Sequence, residues 1–188
     1  MEKIINYFKT RVKNILQRSS LFQYIIEKGY CSKTIRRQRI VNFIFQRILR
    51  INSDCKYSVH FTSKVLKPEK IIVGKGVDKS FMLSGNCYFQ GNNGIRIGDN
   101  TIIGPGVKII SANHGIDVRD KYLKIRPIII GKNCWIGANV IILPGTVIGD
   151  NTIVGAGTII KRSFPKGNVI IITNRDLEVE SRCIYREK

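Results

Sequence analysis

The sequence predicts a mainly β chain, wound as a coil of short parallel strands with sharp corners, preceded by a basic α-helical region. Three observations predict it. Aliphatic residues recur every six positions, at Ile97, Ile103 and Ile109 and again at Ile130, Ile136, Ile142, Ile148, Val154 and Ile160. Fixed residue types follow each of them at fixed distances. Residues 3–51 have neither feature; their apolar residues instead fall three and four apart among many Lys and Arg.

The N-terminal region, 1–57, reads as helices. Ile4, Ile5, Phe8, Val12, Ile15 and Leu16 keep a helical spacing, with Lys3, Lys9, Arg11, Lys13 and Arg18 between them. Ser19, Ser20 and Gly29 mark breaks. A second apolar set, Ile40, Val41, Phe43, Ile44, Phe45, Ile48 and Leu49, is bracketed by Arg36, Arg37, Arg39, Arg47 and Arg50. Residues 52–70 show no clear period.

The coil follows, over 58–166. In the repeat, the residue after the aliphatic is usually glycine (Gly98, Gly104, Gly131, Gly137, Gly149, Gly155). Three past it stands only Asn or Gly (Asn100, Gly106, Asn133, Asn139, Gly145, Asn151, Gly157), which suits a corner of positive φ. Four past it stands Thr, Val or Cys (Thr101, Val107, Cys134, Val140, Thr146, Thr152, Thr158), compact side chains for an extended segment. A period of 3.6 cannot stay aligned with six, so a helix is disfavoured and stacked parallel strands fit every column. Weaker repeats begin near Val73, with poor units at Lys79, Gly85 and Gly91 before Ile97. Residues 167–188 form a C-terminal extension.

Composition excludes several classes. The 188 residues carry 32 Lys and Arg against 13 acids, a net charge of +19. Sixteen basic and four acidic residues fall in 1–70, so the first third is the most basic. Five cysteines (Cys31, Cys55, Cys87, Cys134, Cys183) are an odd number with no CxxC pair, against a disulfide framework or a thiolate zinc site. Cys87 and Cys134 read as core fillers. No apolar run approaches the roughly 20 residues of a membrane-spanning helix, and the N-terminus alternates charge with apolar residues instead of presenting a signal-peptide core. A cytoplasmic location is expected. The charge invites nucleic acid or an anionic membrane surface as partner; no nucleic-acid-binding motif is present, and the basic N-terminal helices suit anionic headgroups.

The repeat breaks once. Ile109 to Ile130 spans 21 residues, not a multiple of six. The charged stretch 115–127 is expected to leave the coil as a loop, directly after His114. A neutral imidazole, with an ordinary pKa near 6.5, is an available general base at that rigid corner. His60 lacks such a setting and reads as a packing or solvated residue.

The stretches 97–114 (IGDNTIIGPGVKIISANH) and 127–160 (PIIIGKNCWIGANVIILPGTVIGDNTIVGAGTII) resemble the hexapeptide-repeat acyltransferases. The upstream VHFTSKV (59–65) and SGNCYFQGNNGIRIG (84–98) are similar to cell-surface polysaccharide and colanic-acid type O-acetyltransferases of that family. The resemblance implies a left-handed parallel β-helix; the general preference for right-handed crossovers would have given the other hand. It implies His114 as the catalytic base of an Asn-His pair with Asn113; the resemblance assigns no orienting group, for which nearby Asp117 and a main-chain carbonyl are equal candidates. It implies acetyl-CoA as acyl donor and a sugar hydroxyl of a surface polysaccharide or its precursor as acceptor, without an acyl-enzyme or a metal. Asn113, Asn86 and Trp135 match acceptor-side positions. Trp135, Ala138, Ala156, Lys161 and Arg162 match cofactor-side positions, the small corner residues along the pantetheine arm and the two cations near the phosphates. Packing readings stand beside these: Trp135 as a cap on the coil wall, Lys161 and Arg162 as a solvated edge. The family also implies a homotrimer with sites between subunits, peripheral to the inner membrane face if the acceptor is lipid-linked. An amino-sugar or antibiotic acetyltransferase is the sister reading. A γ-type carbonic anhydrase needs three histidines where this chain has two. The usual Val-x-x-Gly-x-Pro-Ala-Lys segment after the repeats is replaced by GNVIIITNRDLEV (167–179).

Overall fold

A computed structural model describes residues 33–113, 123–168, 170 and 171. The stretch 4–16 expected to be helical, His114, Asp117 and the last part of the C-terminal extension lie outside the described residues. The chain divides into two compact units, Met1–Ile40 and Val41–Lys188.

The second unit is a coil of three parallel sheets. The first sheet stacks β1 (Lys64–Leu66), β3 (Tyr88–Gln90), β6 (Lys108–Ile110), β9 (Ile141–Ile142) and β12 (Ile159–Ile160). The second stacks β2 (Ile71–Val73), β4 (Ile95–Ile97), β7 (Ile128–Ile130) and β10 (Val147–Ile148). The third stacks β5 (Ile102–Ile103), β8 (Trp135–Ile136), β11 (Ile153–Val154) and β13 (Ile170–Ile171). The chain visits the sheets in turn, and each strand pairs in parallel with its equivalent one coil away, as in Ile109↔Ile142 and Ile103↔Ile136. This is the expected left-handed β-helix.

Each sequence column has a place in it. The six-fold aliphatics from Ile97 to Ile160 all point inward and are at most 3% exposed. The Thr/Val/Cys column is a second inward row, from Thr101 to Thr158, also buried. Its hydroxyls satisfy themselves on main-chain carbonyls: Thr152 Oγ1 donates to Gly149 O and Thr158 Oγ1 to Gly155 O. The Asn/Gly column is left-handed throughout, from Asn133 at φ 53° to Gly106 at φ 73°. At the corner between the second and third sheets, three of these asparagines form a ladder, Asn100 Nδ2 donating to Asn133 Oδ1 and Asn133 Nδ2 to Asn151 Oδ1, each at 3.3 Å.

The poor units between Val73 and Ile97 have a physical cause. A short helix, α2 (Asp78–Leu83), takes the place of a strand in the third sheet. Its serines replace ladder bonds: Ile103 N donates to Ser80 Oγ and Ser84 Oγ donates to Ile103 O at 2.6 Å. Phe81 and Met82 are buried, and Phe81 stacks on Phe89 at 4.3 Å between ring centroids.

The second apolar set of the N-terminal region forms α1 (Lys33–Phe43), continued as one π-helical stretch, Ile44–Ile48. Its orientation differs from an ordinary amphipathic helix. The polar Asn42 and Gln46 are the buried residues, while Phe43, Ile44, Ile48 and Leu49 are exposed. The reason lies in the open end of the coil, whose main-chain groups need partners. Asn42 Nδ2 donates to Met82 O and Asn42 Oδ1 accepts from Phe61 N. Gln46 Nε2 donates to Cys55 O and Tyr57 O, and Gln46 Oε1 accepts from Val59 N. Asn52 spans β1 in the same way, donating to Ser63 O and accepting from Val65 N. Among the described residues no helix is long and apolar enough to cross a membrane.

Candidate functional site at the interrupted corner

The corner between the first and second sheets carries the break in the repeat. β6 ends at Ile110 and β7 begins at Ile128, and the segment between leaves after Asn113 and returns at Leu123. Its two stems are tied together. Leu123 N donates to Asn113 O at 2.9 Å. Asn93, on the coil below, donates through Nδ2 to Leu123 O at 2.7 Å and to Ser111 O at 3.1 Å. Ala112 N donates to Gln90 Oε1, and Asn93 N to Ser111 Oγ. The returning stem is fixed to the coils above by Arg126, whose Nε donates to Gly145 O at 2.7 Å and whose Nη2 donates to Ser163 Oγ. Such bonds hold the base of the loop in one geometry. Asn113 is exposed at this base. Lys161 and Arg162 lie on the same corner one coil above Gly145, both exposed, with the Arg162 guanidinium 5.2 Å from the centroid of the Phe164 ring.

The corner between the third and first sheets holds a second group. Asn86, Ala138 and Ala156 stack along it, linked by Gly106 N to Gly85 O, Asn139 N to Pro105 O and Gly157 N to Ala138 O, at 2.8 to 2.9 Å. The approach is close: a Cβ on Gly137 would sit 2.6 Å from Ala156 N. Asn86 is left-handed, at φ 57°, with its N–H on Thr62 Oγ1. Trp135 precedes this corner on the third sheet. It is 55% exposed, in register with the exposed Ile102 below it and Ile153 above. A smooth edge of alanines beside an exposed indole can receive a thin, flexible chain such as a pantetheine arm.

The sequence-predicted residues therefore fall in two groups. Asn113, Lys161 and Arg162 share the interrupted corner; Asn86, Ala138, Ala156 and Trp135 sit at or beside another, on the far edge of the first sheet. Asn93, Gln90 and Arg126 went unread in the sequence. The Asn92–Asn93–Gly94 turn signal marks the corner below the break, and nothing in it foretells a bond to Leu123.

Other titratable groups are accounted for by packing. His60 Nδ1 pairs with Thr62 Oγ1 at 2.9 Å, the ring stacks on Phe61, and burial lowers its pKa. Cys55, Cys87 and Cys134 are buried free thiols. Burial pushes all three up, Cys55 to about 11 with Asp54 adding to the rise. Thiols so protonated are poor nucleophiles. Among the described residues no cluster of His, Cys, Asp and Glu has the makings of a metal site.

The profile of the bacterial transferase hexapeptide family (six repeats) matches residues 127–162. Nodulation protein L of Rhizobium meliloti (strain 1021) is 47% identical over 85 residues, 44% of this chain and 46% of that one. The Escherichia coli (strain K12) protein WbbJ, whose name refers to O-acetyl transfer in lipopolysaccharide biosynthesis, is 28% identical over 151 residues, 72% of this chain and 75% of that one. The structure of a maltose O-acetyltransferase from Clostridium difficile 630 superposes with a TM-score of 0.50 at 28% identity, covering 85% of this chain and 88% of the other. The chain spans about half the length, or less, of several curated relatives it matches, from 33% to 53%.

Proposed function

We propose that this chain, whose residues 127–162 match the bacterial transferase hexapeptide family, transfers an acetyl group from acetyl-CoA to a sugar hydroxyl. The observation that carries the proposal is the clamped loop base, which begins one residue before His114 where the six-residue count fails between Ile109 and Ile130.

In this reading His114 is the general base. It takes the proton from the acceptor hydroxyl as that oxygen attacks the thioester carbonyl. A tetrahedral oxyanion forms, the C–S bond breaks, and the departing thiolate recovers the proton from the imidazolium. No covalent acyl-enzyme is needed, and the protonated Cys55, Cys87 and Cys134 offer no competing nucleophile. Ala138 and Ala156 admit the pantetheine arm along their corner, beside Trp135. Lys161 and Arg162 supply positive charge for the phosphates. The two groups lie on different corners of one copy, so we propose that the working site is completed between copies, in a homotrimer. Asn113 and Asn86 belong to the acceptor side. A surface polysaccharide or its precursor is the proposed acceptor, supported by the similarity to WbbJ.

The test is acceptor-dependent release of free coenzyme A, followed with a thiol reagent across a panel of nucleotide sugars and oligosaccharides. His114→Ala is expected to abolish release while the melting temperature stays within a degree or two. Undiminished release by that variant, or no release with any sugar by a wild-type chain that binds acetyl-CoA, removes the proposal. Product mass spectra locate the acetyl group, and an amide product assigns the chemistry to an amino sugar instead.

A further inference from the structure

The inverted helix at the open end of the coil leaves an unexplained surface. Asn42 and Gln46 are spent on the coil, while Phe43, Ile44, Ile48 and Leu49 around them, and Ile51 just beyond, are exposed. Phe43 is 59% exposed and Ile48 65%. Ile44 and Ile48 lie on the π-helical stretch, Leu49 caps it and Ile51 follows the left-handed Arg50, so the exposed apolar residues gather around the end of one helix. The stretch 33–51 carries six basic residues (Lys33, Arg36, Arg37, Arg39, Arg47, Arg50) and no acid. Arg47 and Arg50 are exposed beside the apolar row.

We propose that this face, from Phe43 to Ile51, docks on an anionic lipid surface. An apolar row flanked by arginines matches the two layers of a bilayer interface, with side chains entering the acyl boundary and guanidinium groups meeting the phosphates above it. Charge decides against a second copy as the occupant. Another copy meeting it face to face brings the same acid-free stretch 33–51 to the contact, whereas an anionic headgroup layer neutralises it. The apolar row decides against a purely electrostatic partner, since such a partner would leave Phe43, Ile48 and Leu49 in water. The proposal stands apart from acetyl transfer, so failure of either leaves the other intact.

The experiment is co-sedimentation of the full chain with vesicles of phosphatidylcholine alone and of phosphatidylcholine with phosphatidylglycerol, at low and high salt. Three variants are compared: Ile48→Ser with Leu49→Ser, Arg50→Glu, and Lys132→Glu as a control on an exposed corner away from this face. Binding is expected on the anionic vesicles only, and it weakens with salt. The double serine variant loses about tenfold or more in partitioning. Arg50→Glu loses at least about fivefold, the factor for one basic residue at such a surface. Lys132→Glu stays within twofold of wild type. Equal binding to both vesicle types, or a double serine variant that binds like wild type, overturns the proposal. So does a wild-type oligomer that the double serine variant dissociates while vesicle binding persists, since a second copy then covers the face. Circular dichroism of each variant checks that the coil is intact.

Discussion

Two glycines of the coil, Gly137 and Gly157, should respond very differently to the same added methyl group. Gly157 stands at a corner with φ +73°, and a Cβ there would meet nothing within 4 Å. Alanine at that position bears only the cost of a left-handed residue, about 1–2 kcal/mol. Asparagine bears less, because its side chain tolerates that conformation, as it does at Asn139 on the same corner (φ 57°). Gly137 is not left-handed, but its Cβ would lie 2.6 Å from Ala156 N, 2.8 Å from Val154 O and 3.0 Å from Ala156 Cα. All three atoms are main chain of the next coil. That coil is held by Gly137 N to Val154 O at 2.8 Å, so relief of the overlap stretches the bond that joins the coils. Moving the nearest atom out to ordinary contact at 3.4 Å requires about 0.8 Å. We expect about 3 kcal/mol for Gly137→Ala, at the upper end of overpacking costs. Urea denaturation at fixed protein concentration checks this through shifts in midpoint at constant slope. The expected order is Gly157→Asn near wild type, Gly157→Ala modestly lower and Gly137→Ala far lower. A Gly137→Ala midpoint equal to or above that of Gly157→Ala would refute the stacking argument.

Further outcomes follow from the site and the buried acids. Asn93→Ala removes bonds to both stems of the loop base, and we expect acceptor-dependent release of coenzyme A to fall about 100-fold with circular dichroism unchanged, as for an ångström-scale misplacement; an unaltered rate separates Asn93 from the chemistry. Trp135→Ala should shift stability by no more than about 0.5 kcal/mol, since the ring is 55% exposed, while raising the KM for acetyl-CoA; an unchanged KM takes Trp135 out of the cofactor track. On the alkaline side, Cys55 remains protonated in the fold to about 11 from an ordinary 9.0, so the unfolded chain releases its proton first. Stability is then full below pH 9 and declines toward pH 11, and Cys55→Ala should make the fall in melting temperature over that window shallower. His60 has the opposite sense. Its lowered pKa means the unfolded chain binds the proton more readily, so its contribution is lost as pH falls below 6.5, and His60→Gln should weaken that acid dependence.

The repeat was legible because each column reports one geometric demand. Ile97 to Ile160 had to be apolar because they face the axis, and Asn100 or Gly106 had to accept a left-handed corner. The break after Ile109 was visible for the same reason, as a failure of the count of six. Asn93 and Arg126 were not legible. Their roles depend on which coil lies above or below them, and a bond from Asn93 to Leu123, 30 positions away, leaves no local pattern. The split of the expected site between two corners was hidden too, because a linear spacing does not say which edge a residue reaches. α2 escaped because Lys79, Gly85 and Gly91 simply look like weak repeats. The direction of α1 escaped because spacing identifies two faces of a helix without saying which of them is needed elsewhere.

The end of the coil where Asn42 and Gln46 bond is closed by side chains. A β-solenoid invites growth wherever its terminal strands offer a free row of amides and carbonyls. Here Asn52 occupies that row on β1, and Ser80 and Ser84 occupy it on β5. These side chains take bonds that an incoming strand would otherwise make, which disfavours head-to-tail growth on these two sheets. Loss of the Asn52 amide would therefore reopen that row on β1 to an incoming strand.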